Sequence, residues 1–264
     1  MNKLFVIIVI TVIVAVCIIF IIKKFFYVNY CECLVSDASV KKKDSVYNKY
    51  LTSMVNEIHD NLFKNYEATT EKPERIGILR NLKKNDRVLE IGANRGGVTE
   101  VIAQIVEPKN FVTIEPSRKA CIYLEKLSNK LGKKFNIFNG VLNNGLGSGG
   151  LECSDGDDEH MYVDCKLSDF PKNTDNKTFE ELQRKYNINF NVLVIDCEGC
   201  YEKILEYMHN EQTFKNIDKI FIEWDGKFME DILLQNGFLL VDYIPHSNLK
   251  KGVRTYFKQH LLEA

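Results

Sequence analysis

The stretch "RVLEIGANRGGVTEVIA", residues 87–103, decides the fold class of this 264-residue chain. Its apolar start, its glycine-rich turn and its apolar residues at helical spacing predict a β-strand, a tight loop and an α-helix. Gly92 and Gly96 allow a sharp turn and let a ligand approach the backbone, and the start of the helix presents free N–H donors. This arrangement favours a nucleotide-like ligand at the carboxyl edge of a parallel sheet.

The spacing of the loop residues narrows the choice of ligand. A dinucleotide-binding loop needs Gly-x-Gly-x-x-Gly, and Asn94 stands at the position of the second glycine. Glu90 precedes the loop, and Glu115 follows the next apolar run, where an acid can accept hydrogen bonds from both hydroxyls of a ribose. The alternative for Glu115 is a cap on the helix that follows it.

Short apolar runs alternate with helical patterns along the rest of the chain. We predict strands at residues 87–91, 111–114, 135–138, 192–195 and 219–223, with helices at 98–106, 117–131 and 201–209 between them. Strands joined through helices lie parallel. A helix at 227–235 precedes strands at 238–243 and 253–257, whose short connection makes the last strand antiparallel. Before the first strand we predict helices at 44–66 and, after Pro73 breaks the pattern, at 76–82.

Residues 140–191 form an insertion that is too long for a simple crossover. Its first half is rich in Gly, Asp and Ser and predicts a flexible loop, whereas residues 161–165 alternate as an extra strand does.

The stretch "VLVIDCEGCYEKIL", residues 192–205, permits two different chemistries. Asp196 and Glu198 leave a predicted strand on one face, as the acids of a ligand site on an open sheet do. Cys197 and Cys200 have the spacing of a thioredoxin-type redox pair. The acids favour a proton acceptor over a metal site, because no histidine is close in sequence. Glu198 could also simply cap the helix, and the cysteines could be packing residues.

Several motifs together resemble the FkbM family of S-adenosylmethionine-dependent methyltransferases. The loop pattern Glu-x-Gly-Ala-Asn-x-Gly is similar to the first motif of that family, and Glu115-Pro116 to its second. The stretches "VDCKLSDF" (163–170), "VLVIDCEGCYEKIL", "KIFIEWD" (219–225) and "LLQNGF" (233–238) resemble later motifs in the same order. The resemblance covers roughly residues 83–243, and it departs at Val194, where the family often has Lys.

The resemblance implies a Rossmann-like class I methyltransferase domain of the α/β class. Its sheet should be seven-stranded and mostly parallel, with an antiparallel C-terminal hairpin. The implied cofactor is S-adenosylmethionine, and the implied acceptor is a hydroxyl of a sugar, a glycan or another small molecule. The implied catalytic residues are Asp196 and Glu198, and the implied cofactor-binding residues are Glu90, Gly92, Asn94, Gly96, Glu115 and Asp196.

Two other functions stay open at this point. One is a non-catalytic, membrane-anchored scaffold that keeps the same fold. The other is a thiol-disulfide oxidoreductase that uses Cys197 and Cys200.

The N-terminus predicts a membrane anchor. Residues 4–22 are apolar except for Thr11 and, as a helix, cover about 28 Å, which is the thickness of a bilayer core. We therefore predict a single-pass membrane protein, with an anchor and stalk at 1–44 and a methyltransferase-like domain at 45–264. Lysines after the apolar run favour a cytosolic domain, and the sequon at Asn176 favours a lumenal one. A net charge of −1 offers no broad basic surface for nucleic acid.

Overall fold

The computed structural model describes residues 71–142, 150–153, 165–168, 175–197, 200–224, 230–245 and 252–263. The predicted anchor at 4–22, the stalk, the predicted helix at 44–66 and Glu198 lie outside these ranges. Within them, no helix is both long enough and apolar enough to cross a membrane.

Ten strands and seven α-helices are found in the described ranges. The strands are β1 Val88–Ile91, β2 Phe111–Glu115, β3 Asn136–Leu142, β4 Gly150–Cys153, β5 Cys165–Ser168, β6 Asp175–Lys177, β7 Val192–Ile195, β8 Lys219–Trp224, β9 Phe238–Pro245 and β10 Gly252–Lys258. The helices are α1 Lys72–Asn81, α2 Gly97–Ile105, α3 Arg118–Leu131, α4 Phe179–Tyr186, α5 Tyr201–Asn210, α6 Glu230–Gln235 and α7 His260–Glu263.

Eight of the strands form one mixed sheet in the order β6-β3-β2-β1-β7-β8-β10-β9. The six strands from β6 to β8 in that order pair in parallel, and β10 pairs antiparallel with both β8 and β9. The predicted parallel sheet with an antiparallel C-terminal hairpin is therefore confirmed. The predicted number of seven strands is wrong by one, because the short strand β6 adds to the edge beside β3.

Helices cover both faces of the sheet, which explains why the central strands β1 and β7 are apolar except at Glu90. Alternate residues of β1 and β7 point to opposite faces. Val88 and Val192 pack with α1 and α2 on one face, whereas Leu89 and Leu193 pack with α4 and α5 on the other. All four residues of β1 and of β7 are buried. Strands covered on both faces need this continuous apolar pattern.

The long insertion contains structure that the sequence analysis missed. Helix α4 begins with a capping box, in which Thr178 and Glu181 exchange side-chain and backbone hydrogen bonds. Residues 161–164 of the extra strand expected at 161–165 lie outside the described residues; β5 begins at the last of the five, Cys165, and pairs antiparallel with β4 outside the main sheet. The first half of the insertion, expected to be a loop, contributes β4.

The helix that precedes β1 begins earlier than expected. The sequence pattern predicts a break at Pro73, but Pro73 lies in the first turn of α1. A proline is tolerated there because the first N–H groups of a helix have no partner within the helix.

Candidate active site

The candidate site lies where the chain order in the sheet reverses. The chain runs outward from β1 through β2 to β3 on one side, and from β7 to β8 on the other. Open parallel sheets bind ligands at the carboxyl ends of the strands beside such a reversal. The loop after β1, the end of β2 and the end of β7 are therefore the segments that form the site.

The loop after β1 depends on glycine at two positions. Gly92 and Gly96 have φ angles of 89° and 93°, which L-residues with a side chain rarely adopt. The Gly92 and Ala93 N–H groups both donate to the Ile114 carbonyl of β2, at 3.1 and 3.2 Å. A Cβ on Gly92 would lie 1.8 Å from the Asp196 carbonyl oxygen, so only glycine lets the loop after β1 approach the end of β7 this closely.

Glu115 holds this loop in place. Its Oε2 accepts a hydrogen bond from the Asn94 N–H, and its Oε1 accepts one from the Ser117 N–H, both at 2.7 Å. Asn94 adopts a left-handed φ of 48°, which Asn tolerates better than most residues. Asn139 at β3 donates from Nδ2 to the carbonyls of Glu115 and Pro116, at 3.0 and 2.9 Å. These contacts fix the carboxylate and the loop relative to each other.

Glu90 lies beneath the first turn of α2. Its side chain is buried, and Oε2 accepts a hydrogen bond from the Thr99 hydroxyl at 2.8 Å. Burial raises the pKa of Glu90 to about 7, and the charges of Glu71 and Glu115 contribute to the increase. Glu90 is therefore close to half-ionised near neutral pH.

Asp196 lies beside a small recess between α1, β7, β8 and β10. Glu74, Val194 and Glu223 also line this recess. Burial, a hydrogen bond with Glu223 and the charges of Glu223, Glu74 and Glu71 raise the pKa of Asp196 well above its usual range. Burial also raises the pKa of Glu74 to about 8. Asp196 therefore holds its proton more tightly than an exposed aspartate does, in a crowded group of carboxyls.

The two cysteines after β7 are bonded to each other. Cys197 and Cys200 form a disulfide with a Cα–Cα distance of 5.4 Å, and both are partly buried against the core. They therefore pack against the core as expected, but they form a disulfide and are not two free thiols. Cys121 is a buried free thiol whose Sγ donates to the Glu115 carbonyl at 3.4 Å.

The structure brings most of the predicted site residues together. Of the predicted cofactor-binding residues, Glu90 lies within β1 and the others lie on the loop after β1, at the end of β2 or directly after β7; Glu198 lies outside the described residues. The sequence analysis missed Glu71, Glu74, Asn139 and Glu223. Glu223 was visible as an acid at the end of a strand, but α1 gave no sign that its acids reach the site. No group of three or more His, Cys, Asp or Glu in the described part of the chain could hold a metal ion.

The chain is similar in fold to several solved structures. No family model and no curated protein matches the chain. A ribosomal protein methylase from Lactobacillus delbrueckii subsp. bulgaricus is 11% identical, with a TM-score of 0.46 over 72% of this chain and 79% of that one. A protein of the NADB-Rossmann superfamily from Streptococcus agalactiae is 11% identical, with a TM-score of 0.42 over 67% and 64% of the two chains. TrmK of M. capricolum, in complex with S-adenosyl-homocysteine, is 14% identical, with a TM-score of 0.41 over 67% and 65%.

These likenesses span a little under two thirds of the last two proteins, at 64% and 65% of their lengths. Identities and TM-scores this low say nothing about the reaction of this chain. What the chain itself shows is a Rossmann-like mixed sheet with a ligand-site geometry at its point of reversal.

Proposed function

We propose that this chain is an S-adenosylmethionine-dependent methyltransferase. The observation that carries the proposal is the convergence of the glycine loop, Glu115 and Asp196 at the carboxyl ends of three adjacent strands. Such an edge can hold a nucleoside on one side and an acceptor on the other. The resemblance of residues 83–243 to the FkbM motifs supports membership of that family.

The residues of the loop fit the nucleoside part of this cofactor. Each oxygen of Glu115 accepts one backbone N–H and keeps a second lone pair, so the carboxylate can still accept from two ribose hydroxyls. Asn94 Oδ1 is buried and accepts no hydrogen bond from the described residues, so a ligand N–H or O–H would satisfy it. Gly92 and Gly96 keep the backbone in the conformation that presents these groups. The cofactor supplies a methyl group on a positively charged sulfur.

Asp196 and Glu223 are the groups that would manage the acceptor proton. Methyl transfer to a hydroxyl requires that the hydroxyl lose its proton, which a carboxylate within hydrogen-bond reach can take. The hydrogen bond between Asp196 and Glu223 means that the two side chains act together. We propose a sugar, a glycan or another small hydroxylated molecule as acceptor, and, on the sequence motif alone, Glu198 as a second catalytic residue.

Val194 lies at the position where the FkbM family often has Lys. In this chain Val194 is buried and lines the recess beside Asp196 and Glu223. A lysine there would place a positive charge among the carboxyls and lower their pKa values. The apolar residue therefore fits the raised pKa values of Asp196 and Glu74.

Calorimetry with S-adenosylhomocysteine tests the proposal on the full 264-residue chain. Binding in the micromolar range is expected, and the absence of any heat of binding would sink the enzyme hypothesis. Binding without methyl transfer from labelled cofactor to any component of a cell extract would favour the non-catalytic scaffold instead. A labelled product would at the same time identify the acceptor.

We also propose that residues 4–22 anchor the chain in a membrane as a single pass. The support is the length and apolarity of that segment. The full chain should stay with the membrane fraction after alkaline carbonate extraction, whereas a chain that lacks residues 1–44 should be released. Release of both chains would contradict the anchor.

The Cys197–Cys200 disulfide favours a second candidate function, thiol-disulfide exchange. In that reaction a dithiol partner is oxidised to a disulfide, and the Cys197–Cys200 bond is reduced to two thiols. Loss of dithiol-oxidising activity in the Cys197→Ser, Cys200→Ser double variant, with methyl transfer unchanged, would show that the disulfide serves a separate reaction. The absence of exchange activity in the wild-type chain would exclude this function.

A further inference from the structure

The side chain of Glu71 reaches the glycine loop from outside it. Glu71 immediately precedes α1, in a segment before the first strand of the sheet. A Cβ on Gly97, the first residue of α2, would lie 1.3 Å from Glu71 Oε2 and 2.4 Å from Cδ. The carboxylate of Glu71 therefore lies directly against the start of α2, and it occupies the space that a side chain at Gly97 would fill.

Glu71 is also close to the acids at the ends of the central strands. Burial raises the pKa of Glu71, and the charge of Glu223 adds to the increase, while the charge of Glu71 contributes in turn to the raised pKa values of Glu90 and Asp196. These acids lie at or near the carboxyl ends of β1, β7 and β8, where the crevice is bordered by the glycine loop, and the contact with Gly97 puts the Glu71 carboxylate beside that loop. About a quarter of the side chain is exposed, at 26%, so a ligand in the crevice can reach it.

The hydrogen-bonding capacity of this carboxylate is not filled by the described residues. Glu71 Oε2 is buried and accepts no hydrogen bond from them. The Arg75 guanidinium pairs with it only at 4.0 Å, from Nη2. A buried carboxylate oxygen is stabilised by a charged N–H donor, and a primary ammonium has three N–H groups to donate.

We propose that Glu71 is a cofactor-binding residue whose carboxylate accepts hydrogen bonds from the α-ammonium group of S-adenosylmethionine. This inference rests on the proposed function and names one contact within the same site. It assigns the amino-acid end of the cofactor to the side of the loop where α1 and α2 meet. The nucleoside end then lies toward Glu115 and Asn94, on the other side of the loop.

A purely structural role for Glu71 makes a different prediction. If the side chain only packs against Gly97, the isosteric change Glu71→Gln should affect all ligands of the site equally. If the charge binds an ammonium, Glu71→Gln should weaken only those ligands that carry one.

Two ligands separate these roles by calorimetry on the full chain. S-adenosylhomocysteine has the α-ammonium, whereas 5′-methylthioadenosine has the same nucleoside and thioether without the amino acid. We expect Glu71→Gln to weaken S-adenosylhomocysteine by about tenfold or more, and to change the affinity for 5′-methylthioadenosine less than about twofold. The matched control is Glu125→Gln, which removes the same charge from a half-exposed side chain paired with Arg118 on α3 and should change neither affinity.

The outcomes distinguish this inference from the proposed function. Equal weakening of both ligands, or no weakening of either, would overturn the role of Glu71 while the cofactor assignment stands. Failure of the wild-type chain to bind either ligand would instead overturn the proposed function itself. An unchanged melting temperature of Glu71→Gln would show that the variant is folded. If it is unfolded, Glu71→Asp provides the test, because aspartate keeps the charge but withdraws it from Gly97. Glu71→Asp should also weaken the binding of S-adenosylhomocysteine only.

Discussion

At the scale of single residues, the Asp196–Glu223 pair is the feature with the clearest chemical consequence. We expect both Asp196→Asn and Glu223→Gln to lower methyl transfer by about 100-fold or more, because each replaces one of the two carboxyls that would handle the acceptor proton. The measurement is incorporation of labelled methyl into the product fraction of a cell extract. Affinity for S-adenosylhomocysteine should change by less than about threefold, since an amide can still form the hydrogen bond between the two side chains.

The two variants together separate the role of Asp196 from that of Glu223. If Glu223→Gln is inactive but Asp196→Asn is active, the proton acceptor is Glu223 alone. If Asp196→Asn loses cofactor affinity together with turnover, Asp196 belongs to the cofactor site.

The sequence could predict some site residues because they are close to strand ends in the chain. Gly92, Asn94 and Glu115 follow apolar runs, and the parallel sheet brings the ends of such runs to one edge. The partnership of Asp196 with Glu223 and Glu74 could not be predicted in the same way. Glu74 lies on a helix more than a hundred residues before β7, and nothing local in its sequence fixes where that helix packs.

At the scale of elements, the contact between the β1 loop and the end of β7 should tolerate no side chain at Gly92. Gly92→Ala combines a φ of 89° with a Cβ 1.8 Å from the Asp196 carbonyl oxygen, so backbone must move. We expect a loss of about 3 kcal/mol or more in the free energy of unfolding, measured by urea denaturation.

The matched control is Gly132→Ala at the end of α3. Gly132 has a φ of 64° but no atom within 4 Å of its Cβ position, so this variant carries the conformational cost without the collision. Its expected loss is about 1 kcal/mol. Equal losses in the two variants would mean that the close approach of the two loops is not needed for stability.

Elements with a strong apolar pattern were predictable, and elements without one were not. The central strands of the sheet were found within a few residues, except that β3 extends to Leu142, because each is a mostly apolar run, and β1, β2 and β7 are buried at every residue. Helix α4 was missed because it is short and polar and buries only Phe179 and Leu182. Strand β6, three residues long, has no apolar residue at all and is held only by pairing with β3.

At the scale of the whole molecule, the raised pKa values of the crevice carboxyls make stability depend on pH. These carboxyls are those of Glu74 in α1, Glu90 in β1 and Asp196 directly after β7, and they are brought together only in the folded chain. The unfolded chain returns Glu74 to a pKa near 4.5, whereas the folded chain holds it at about 8. Between these values the folded state binds more protons than the unfolded state, so the free energy of unfolding falls as pH rises.

Glu74→Gln isolates the contribution of one carboxyl to this effect, because glutamine resembles the protonated acid and cannot ionise. The difference in unfolding free energy between Glu74→Gln and the wild type should be small below pH 4.5, grow in favour of the variant as pH rises, and level off above about pH 8. The slope should be at most about 1.4 kcal/mol per pH unit, with a total of roughly 2 to 4 kcal/mol. Urea denaturation at pH 4, 6 and 8.5 measures this difference.

The control is Glu125→Gln, whose wild-type side chain is half-exposed and which should show no such growth of the difference with pH. A constant difference across this range would mean that Glu74 is ionised in the folded chain, and that the carboxyls do not act as one group.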